Sequence, residues 1–232
     1  MIKTTVVIPN YNGIKYIEAC LKSLFDAMDN EYQFEIVVVD NGSDDGSLEV
    51  VREKFPKVRL VELGENTGFA YAVNRGIEES STEYVLLLNN DIVVDDCMVQ
   101  FLEEALDDEP NAFSINSLMI SMANNELVDG AGDYYCALGW AFAYWKDKPV
   151  MKMKRGLHRR KLFSCCGGAS IYRKSVFKEI GMFDEEHFAY LEDVDIGYRA
   201  RIAGYTNLLE MAAMCEHAGS GSSGSRYNDI TG

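Results

Sequence analysis

The sequence predicts an α/β protein with a mainly parallel central sheet and helices on both of its faces. Over the first 110 residues, short apolar segments rich in Val, Ile and Leu alternate with segments whose apolar residues recur at helical spacing. Continuous apolar runs are typical of strands buried on both faces, and strand–helix alternation is typical of parallel sheets. Polar residues directly follow three of these strands. In such sheets, ligands bind outside the carboxyl ends of the strands.

The first half of the chain contains four strand–helix units in succession. The first strand, residues 5–8, is a β-branched run that stops at Pro9, which has no N–H to donate. Apolar residues at helical spacing from Ile14 to Met28 then predict a helix, with Asn12 as its N-terminal cap. The remaining predicted strands are 35–40, 58–63 and 84–88, and the remaining predicted helices are 46–55, 69–80 and 95–106.

The composition changes after about residue 110. Glycines and aromatic residues are frequent between 130 and 145, which favours irregular or antiparallel structure. The later predicted elements are a strand over 163–172 with a kink at Gly167-Gly168, helices over 174–180 and 192–203, and a strand over 205–215. Residues 219–225 are all Gly or Ser. We therefore expect a flexible tail over 219–232, where the chain could also be truncated.

Length, charge and cysteine content limit the class of protein. The chain has 232 residues, which is enough for a single α/β domain over 1–232. It carries 37 acidic and 22 basic residues, a net charge of −15, which argues against a nucleic-acid partner. No apolar run approaches the length of a spanning helix, no signal peptide is visible, and the six cysteines form no C-x-x-C pair. These features indicate a cytoplasmic protein with reduced thiols.

Three clusters of polar residues are expected to meet at the carboxyl edge of the sheet. They are Asn10, Tyr11 and Asn12; Asp40 and Asn41; and Asn89, Asn90 and Asp91. The chain has neither G-x-G-x-x-G after its first strand nor a P-loop, so any phosphates must be held differently. A carboxylate such as Asp91, with amide oxygens beside it, suits Mg²⁺ or Mn²⁺. The alternative is that residues 89–91 form only a turn with an Asx cap.

Two other residues of the first half have two interpretations each. Asp40 could accept a hydrogen bond from a base or a ribose hydroxyl, or it could only order its loop. Arg75 could reach back to a base or a phosphate, or it could be an ordinary solvated charge on a helix.

The second half offers candidates for acid–base chemistry. Glu192, Asp193 and Asp195 lie at a helix start, where one carboxylate could be a general base or all three could form only a charged capping turn. Asp193 and Asp195 are two residues apart, so at most one should point into a cleft. His217 follows the last predicted strand and could ligate the same cation as Asp91, although a lone histidine is usually structural.

Taken in order, these segments resemble the GT-A glycosyltransferases of family 2. The matching segments are 6–13 (VVIPNYNG), 39–43 (VDNGS), 66–70 (NTGFA), 88–91 (LNND), 167–169 (GGA), 181–185 (GMFDE) and 192–199 (EDVDIGYR). The NTGF and NND forms are most similar to the bacterial rhamnosyltransferase-like branch. The resemblance extends from residue 5 to about 220 and implies the Rossmann-like GT-A fold of nucleotide-diphospho-sugar transferases.

The resemblance also implies a reaction. A sugar, with rhamnose as one candidate, would move with inversion from a dTDP- or UDP-sugar to a hydroxyl of a saccharide or lipid-linked acceptor, in cell-surface polysaccharide synthesis. Residues 1–110 would bind the donor, and residues 111–220 would hold the acceptor and the catalytic groups. The rival interpretations are a nucleotidyltransferase and a catalytically inactive sugar-nucleotide-binding protein.

Site residues follow from the same resemblance. The donor would be bound by Pro9, Asn10, Tyr11, Asn12, Asp40, Asn41, Asn66, Gly68, Arg75, Asn89 and Asn90. Asp193 would be the catalytic base, Asp91 and His217 would bind Mg²⁺ or Mn²⁺, and Gly168 and Glu192 would line the acceptor and donor-sugar side. Asn89 stands where the family's D-x-D motif has its first acid, which leaves Asp91 as the expected metal contact.

A basic segment interrupts the acidic chain. Residues 146–161 contain eight Lys or Arg residues and one Asp, a local charge of +7. This segment could attract an anionic lipid-linked acceptor or bring the protein to the inner face of the cell membrane as a peripheral protein. The alternative is a solvated loop.

Overall fold

A ten-stranded mixed sheet forms the centre of the computed structural model, which describes residues 2–28, 32–153 and 159–219. The strands are β1 Thr4–Asn10, β2 Glu35–Asp40, β3 Arg59–Glu62, β4 Tyr84–Leu88, β5 Ile92–Val94, β6 Ala112–Ser121, β7 Asn124–Gly130, β8 Asp133–Tyr135, β9 Ala141–Ala143, β10 Arg159–Leu162, β11 Ala169–Arg173 and β12 Thr206–His217. The helices are α1 Ile17–Asp26, α2 Ser47–Lys54, α3 Phe69–Glu79, α4 Met98–Asp108, α5 Phe177–Ile180 and α6 Glu192–Ile202. Strands β8 and β9 form a separate hairpin.

The sheet has a parallel half and a mixed half. Its order is β10-β12-β6-β11-β4-β1-β2-β3, with β5 paired to β12 and β7 paired to β6. Strands β4, β1, β2 and β3 are parallel, as the strand–helix alternation predicted. Strand β11 is antiparallel to β4 and β6, whereas β12 is parallel to β6. The α/β class and the largely parallel sheet are therefore confirmed.

Helices cover both faces of the sheet because alternate strand residues point to opposite sides. Val6 and Ile8 of β1 pack into the core beneath α1, α2 and α4, whereas Val7 packs into the core beneath α3 and α6. Gly76 allows α3 to pack against Val7, since a Cβ at Gly76 would lie 2.1 Å from Val7 Cγ1. Each fully buried Val, Ile or Leu contributes on the order of 1.5–3 kcal/mol to folding.

Several predicted boundaries need correction. Helix α1 begins at Ile17 rather than Ile14, and Asn12 does not cap it, because Asn12 Oδ1 accepts from the Asp44 N–H at 3.0 Å. The strand predicted over 163–172 is confirmed only from Ala169, where β11 begins, since residues 163–168 are the connection between β10 and β11. The last strand includes His217 instead of ending before it.

Other sequence predictions fall partly outside the described residues. The predicted flexible tail lies there from residue 220 onward, as do residues 154–158 of the basic segment. All six cysteines belong to the described part and are free thiols. Among the helices of the described ranges, none is both long and apolar enough to cross a bilayer.

Candidate active site

The polar residues that follow β1, β2 and β4 meet in one buried hydrogen-bond network. Asn10 lies opposite Asp40 in the parallel pairing, and its Nδ2 donates to Asp40 Oδ1 at 3.0 Å and to Ser47 Oγ at 2.9 Å. From β4, Asn90 Nδ2 donates to Asn10 Oδ1 at 2.8 Å. All four side chains are buried. The structure therefore brings together the three strand-end clusters, which we call the donor network.

The loop after β1 is fitted closely over this network. A Cβ at Gly13 would lie 2.2 Å from Asn90 Nδ2 and 2.3 Å from Asn10 Oδ1, so only glycine leaves room for the two amides. Asn12 joins the loops after β1 and β2, because its N–H donates to Ser43 Oγ at 3.0 Å. Tyr11 remains exposed at the rim, where its ring is available to a ligand.

A second set of hydrogen bonds attaches the segment before α3 to the same edge. Asn41 Nδ2 donates to Asn66 Oδ1 and to the Gly68 carbonyl, both at 3.1 Å, and Asn41 Oδ1 accepts from Thr67 N–H and Oγ1, both at 2.8 Å. At Gly68, φ is +89°, and a Cβ would lie 2.5 Å from the carbonyl oxygen of Phe188. Asn41, Asn66 and Gly68, which the sequence analysis assigned to donor binding, therefore lie together.

Two predicted donor residues have other partners in the structure. Asp40 is only 3% exposed, and its oxygens accept from Asn10 Nδ2 and from the Ser43 N–H, the latter at 3.0 Å. These bonds support the loop-ordering interpretation of Asp40. Arg75 pairs with Glu78 at 2.8 Å and lies over the Tyr71 ring, which gives it a role on the surface of α3.

Glycines connect the donor network to the start of α6. The Asn89 N–H donates to the Gly168 carbonyl at 2.8 Å, and a Cβ at Gly168 would lie 3.2 Å from Asn89 Nδ2. Next in the chain, the Gly167 N–H donates to Asp193 Oδ2 at 3.1 Å. A continuous path of close contacts thus runs from Asn89 to the predicted base.

Three carboxylates lie together near the start of α6, and we call them the acidic cluster: Asp133 and Asp193, which are half-buried, and Glu192, which is buried. Burial raises the pKa of Asp193. Burial, and then repulsion from Asp193, raise the pKa of Asp133 and that of Glu192 to about 7. Glu192 Oε2 is buried and has no hydrogen-bond partner among the described residues. Such uncompensated carboxylates are typical of functional sites.

Asp195 contrasts with Asp193, although both lie in the first turn of α6. Its carboxylate accepts from Arg199 Nη2 at 2.7 Å and from Arg199 Nε at 2.9 Å, four residues along the helix. The expectation that the two acids point in different directions therefore agrees with the geometry. Asp193 is the one that enters the acidic cluster.

Asp133 is the site residue that sequence reasoning missed. The Asp133 N–H donates to the Ser164 carbonyl at 2.9 Å, and the Phe163 N–H donates back to the Asp133 carbonyl at 3.1 Å. This pairing carries the Asp133 carboxylate to Asp193 and the Cys166 thiol, with ligand atoms within 4.8 Å of one another. Burial keeps the pKa of Cys166 well above its ordinary value, and a protonated thiol is a poor ligand for a hard cation.

A chain of ionisable groups surrounds Asp91. Strand β12 pairs with β5 so that His217 lies opposite Ile92, and His217 Nε2 lies 3.3 Å from Asp91 Oδ1. His217 Nδ1 is 2.5 Å from Asp129 Oδ2, and Asp129 also pairs with Lys146 at 3.0 Å. Burial lowers the pKa of His217, but the hydrogen bonds to Asp129 and Asp91 outweigh it and raise the pKa to about 9.

These residues fit a divalent cation at Asp91. In metal sites, a carboxylate often orients the ligating histidine through its other ring nitrogen, as Asp129 does for His217. The Nε2 atom then faces the Asp91 carboxylate. Since a metal-ligating imidazole is neutral, a cation bound by Asp91 and His217 would take the place of the shared proton.

The fold is of the GT-A type, the fold of the glycosyltransferase structures that resemble this one. Similar solved structures include GalNAc-T7 with UDP, GalNAc and Mn²⁺ (TM-score 0.77, 16% identity) and the mannosyltransferase PcManGT from Pyrobaculum calidifontis with GDP-Man and Mn²⁺ (TM-score 0.69, 18% identity). They cover 94% and 95% of this chain, and the chain covers 44% and 58% of theirs. At these identities the likeness shows the fold.

The family follows from the sequence. The model of Glycosyl transferase family 2 matches residues 5–181, so the chain belongs to that family and is a glycosyltransferase. A similar curated protein is the N-acetylglucosaminyl-diphospho-decaprenol L-rhamnosyltransferase of Mycobacterium tuberculosis, 26% identical over 91% of this chain and 75% of that protein. Another is the poly-beta-1,6-N-acetyl-D-glucosamine synthase of Staphylococcus epidermidis, 25% identical, of whose length the chain spans about half (49%).

Proposed function

We propose that this glycosyltransferase moves a sugar, with inversion, from a dTDP- or UDP-sugar to a hydroxyl of a saccharide or lipid-linked acceptor, in cell-surface polysaccharide synthesis. The observation that carries the proposal is the half-buried Asp193 carboxylate, held by the Gly167 N–H and joined through Gly168 to the donor network. The mycobacterial relative, by its name, transfers L-rhamnose to a decaprenol-linked saccharide, which supports rhamnose and a lipid-linked acceptor.

In this proposal the donor binds at the carboxyl edge of β1, β2 and β4. Its base lies against the loop from Pro9 to Asn12, where the exposed Tyr11 ring offers a stacking surface. Asn10, Asp40 and Asn41 shape that loop from below through their hydrogen bonds to one another. Preformed loops of this kind reduce the ordering cost of binding.

The diphosphate lies next to Asn89, Asn90 and Asp91. Asp91 and His217 would hold Mg²⁺ or Mn²⁺, and a bound cation would neutralise negative charge on the leaving diphosphate. Asp129 orients His217 toward Asp91 through its 2.5 Å contact to Nδ1. Removal of Asp129 should therefore weaken metal-dependent binding of the donor.

Asp193 acts as the general base in a single displacement. It takes the proton from the acceptor hydroxyl as that oxygen forms a bond to the anomeric carbon. The bond from this carbon to the diphosphate oxygen breaks on the opposite face, so the configuration inverts and no enzyme nucleophile is needed. A carboxylate with a raised pKa suits this role, because a base is most effective when its pKa is near the working pH.

Donor screening followed by product analysis tests this function. We expect one of the UDP-, dTDP- or GDP-sugars to bind more tightly with Mn²⁺ than with EDTA, and the enzyme to release a nucleoside diphosphate as the sugar is transferred. The anomeric configuration of the product, read by NMR, should be opposite to that of the donor. Retention of configuration would contradict the single displacement, and release of pyrophosphate would indicate a nucleotidyltransferase.

A further inference from the structure

The hairpin of β8 and β9 exposes large apolar side chains at its tip. Leu138 is 87% exposed and Trp140 is 72% exposed, and Phe142 on β9 is also exposed. The tip is an ordered turn, because the Cys136 N–H donates to the Trp140 carbonyl and the Gly139 N–H to the Cys136 carbonyl, both at 3.0 Å. Contiguous exposed apolar groups of this size mark interaction sites.

Lysines accompany these apolar groups. Lys148 and Lys152 follow the hairpin in the chain, on either side of Met151, which is 87% exposed. Lys161 of β10 lies beside the hairpin, because the Tyr134 hydroxyl donates to the Lys161 carbonyl at 3.0 Å and the Tyr134 ring stacks on Phe142. Within the described ranges, no ion pair involves any of these three lysines.

Two other basic residues of the segment, Lys146 and Arg159, are held in ion pairs. Arg159 pairs with Asp108, Glu109 and Glu210, at 2.9, 3.6 and 3.1 Å. Lys146 pairs with Asp129 at 3.0 Å. The three free lysines are therefore the described basic side chains best placed to meet an anionic surface.

We propose that this hairpin and its lysines dock the protein on an anionic lipid bilayer. The docking surface consists of Leu138, Trp140, Phe142, Lys148, Met151, Lys152 and Lys161. Tryptophan and leucine insert at the boundary between headgroups and acyl chains, while lysines remain at the level of the anionic headgroups. The pairing of an apolar tip with lysines matches the acyl chains and the anionic headgroups of a bilayer. A two-fold contact of this surface with the same surface of a second copy would instead bring its lysines together, which is unfavourable.

The docking surface lies near the proposed base, which links it to the acceptor. This part of the inference rests on the proposed function. Asp133 begins β8 at the base of the hairpin and lies in the acidic cluster with Asp193. Five residues of extended chain span at most about 17 Å, so Leu138 at the tip lies within that distance of Asp133, whose carboxylate is next to that of Asp193. An acceptor saccharide attached to a membrane lipid would then be presented to Asp193 from the surface on which the enzyme docks.

Flotation with vesicles tests the proposal. We expect wild-type protein to bind vesicles of about three parts phosphatidylcholine to one part phosphatidylglycerol, and to bind pure phosphatidylcholine more weakly. The double variant Leu138→Ser/Trp140→Ser should reduce binding at least tenfold. Ile202→Ser is the matched control, because Ile202 is 71% exposed on α6, and it should bind as wild type does.

Charge-reversal variants test the role of the lysines independently of the apolar tip. Each of Lys148→Glu, Lys152→Glu and Lys161→Glu should weaken binding to the anionic vesicles by at least roughly fivefold, because the loss of one positive charge alone has about that effect. Lys22→Glu, Lys57→Glu and Lys178→Glu make the same change at exposed lysines elsewhere and should have little effect. Equal losses for both sets would mean that only net charge matters, which would overturn the docking surface.

Fluorescence reports the insertion of the tip itself. The chain has two tryptophans, so Trp145→Phe leaves Trp140 as the sole emitter. Its emission should shift to the blue on addition of anionic vesicles and should be quenched by lipids brominated in the acyl chain. A shift that depends on protein concentration without lipid would assign the surface to a second copy and overturn the proposal, as would unchanged emission with lipid.

Turnover separates this proposal from the proposed function. Leu138→Ser/Trp140→Ser should retain wild-type transfer to a water-soluble acceptor saccharide and lose transfer to the same saccharide on a lipid in vesicles. Vesicle binding without any transfer would contradict the proposed function and leave docking intact. Transfer to both acceptors at wild-type rates would contradict the docking role.

Discussion

The donor network and the acidic cluster are both polar and at least half-buried, but they differ in how their polar atoms are compensated. In the donor network, the Asn10 amide donates to Asp40 and accepts from Asn90, and further bonds hold the neighbouring loops. In the acidic cluster, the Asp133 and Asp193 carboxylates face each other, and Glu192 Oε2 has no hydrogen-bond partner within the described residues. Polar groups with hydrogen-bond partners make a region rigid, whereas carboxylates without enough partners stay reactive and lower the stability of the fold.

The largest expected effect comes from the acidic cluster. Asp193→Asn removes the proton acceptor while preserving the volume of the side chain, so kcat should fall by about 10²–10⁴. The donor affinity, measured by calorimetry, should stay near that of the wild type. Asp195→Asn is the matched control two residues away: it should lose its ion pair with Arg199 and retain transfer. Full activity of Asp193→Asn would remove Asp193 as the base.

A second effect should appear at the metal ligands beside the donor network. Asp91→Ala should weaken donor binding in Mn²⁺ by about 10–100-fold, because it removes a carboxylate ligand. Binding in EDTA should change little. Titrations of Asp91→Ala that match wild type with and without Mn²⁺ would show that the cation is held elsewhere.

Substitutions in the donor network should lower the stability of the protein. Asn10→Ala removes the partner of both Asp40 and Asn90, so it should lower the free energy of unfolding by about 1–3 kcal/mol for each buried group left unpaired. Asn111→Ala is the control: Asn111 is exposed and makes one side-chain bond to the Gly204 carbonyl. Chemical denaturation curves that coincide for the two variants would contradict the contrast between the regions.

A smaller effect distinguishes Asp133 from a structural residue. Repulsion between the Asp133 and Asp193 carboxylates is mutual, so Asp133→Asn should lower the pKa of Asp193. A general base is active when ionised, so the acid limb of the kcat/KM profile should move to lower pH. An unchanged limb would assign Asp133 a purely structural role.

The parallel half of the fold could be predicted because its pattern is local. The runs that became β1, β2 and β4 are apolar in unbroken sequence, and the polar residues after them meet through the geometry of a parallel sheet. Strand β6 gave no such signal, because Ser114, Asn116 and Ser117 interrupt its apolar run.

The partners of those polar residues are distant in sequence. Ser114 Oγ donates to Asn207 Oδ1 at 2.9 Å, and Asn116 Oδ1 accepts from the Cys166 N–H at 2.7 Å. No short window contains both members of either pair. Asp133 escaped notice for the same reason, since it stands in a glycine- and aromatic-rich stretch and becomes chemically distinctive only beside Asp193.

The central claim, that the acidic cluster costs stability, is tested most directly by the thermal stability of Asp133→Asn against pH. Asp133 and Glu192 have pKa values of about 7 in the folded protein, above those of unfolded carboxyls. Stability is therefore lost as pH rises from about 4 through 7. His217 also lowers stability as pH rises from its ordinary pKa of 6.5 through its raised pKa of about 9. This contribution is common to both proteins, so the informative quantity is the difference in Tm between variant and wild type.

That difference in Tm should increase as pH rises. We predict that the Tm of Asp133→Asn exceeds that of the wild type at about pH 8, and that the excess is smaller at about pH 5. Each kcal/mol of added unfolding free energy should raise Tm by about 2–4 °C. A Tm difference that is equal at both pH values, or that favours the wild type at pH 8, would contradict the account.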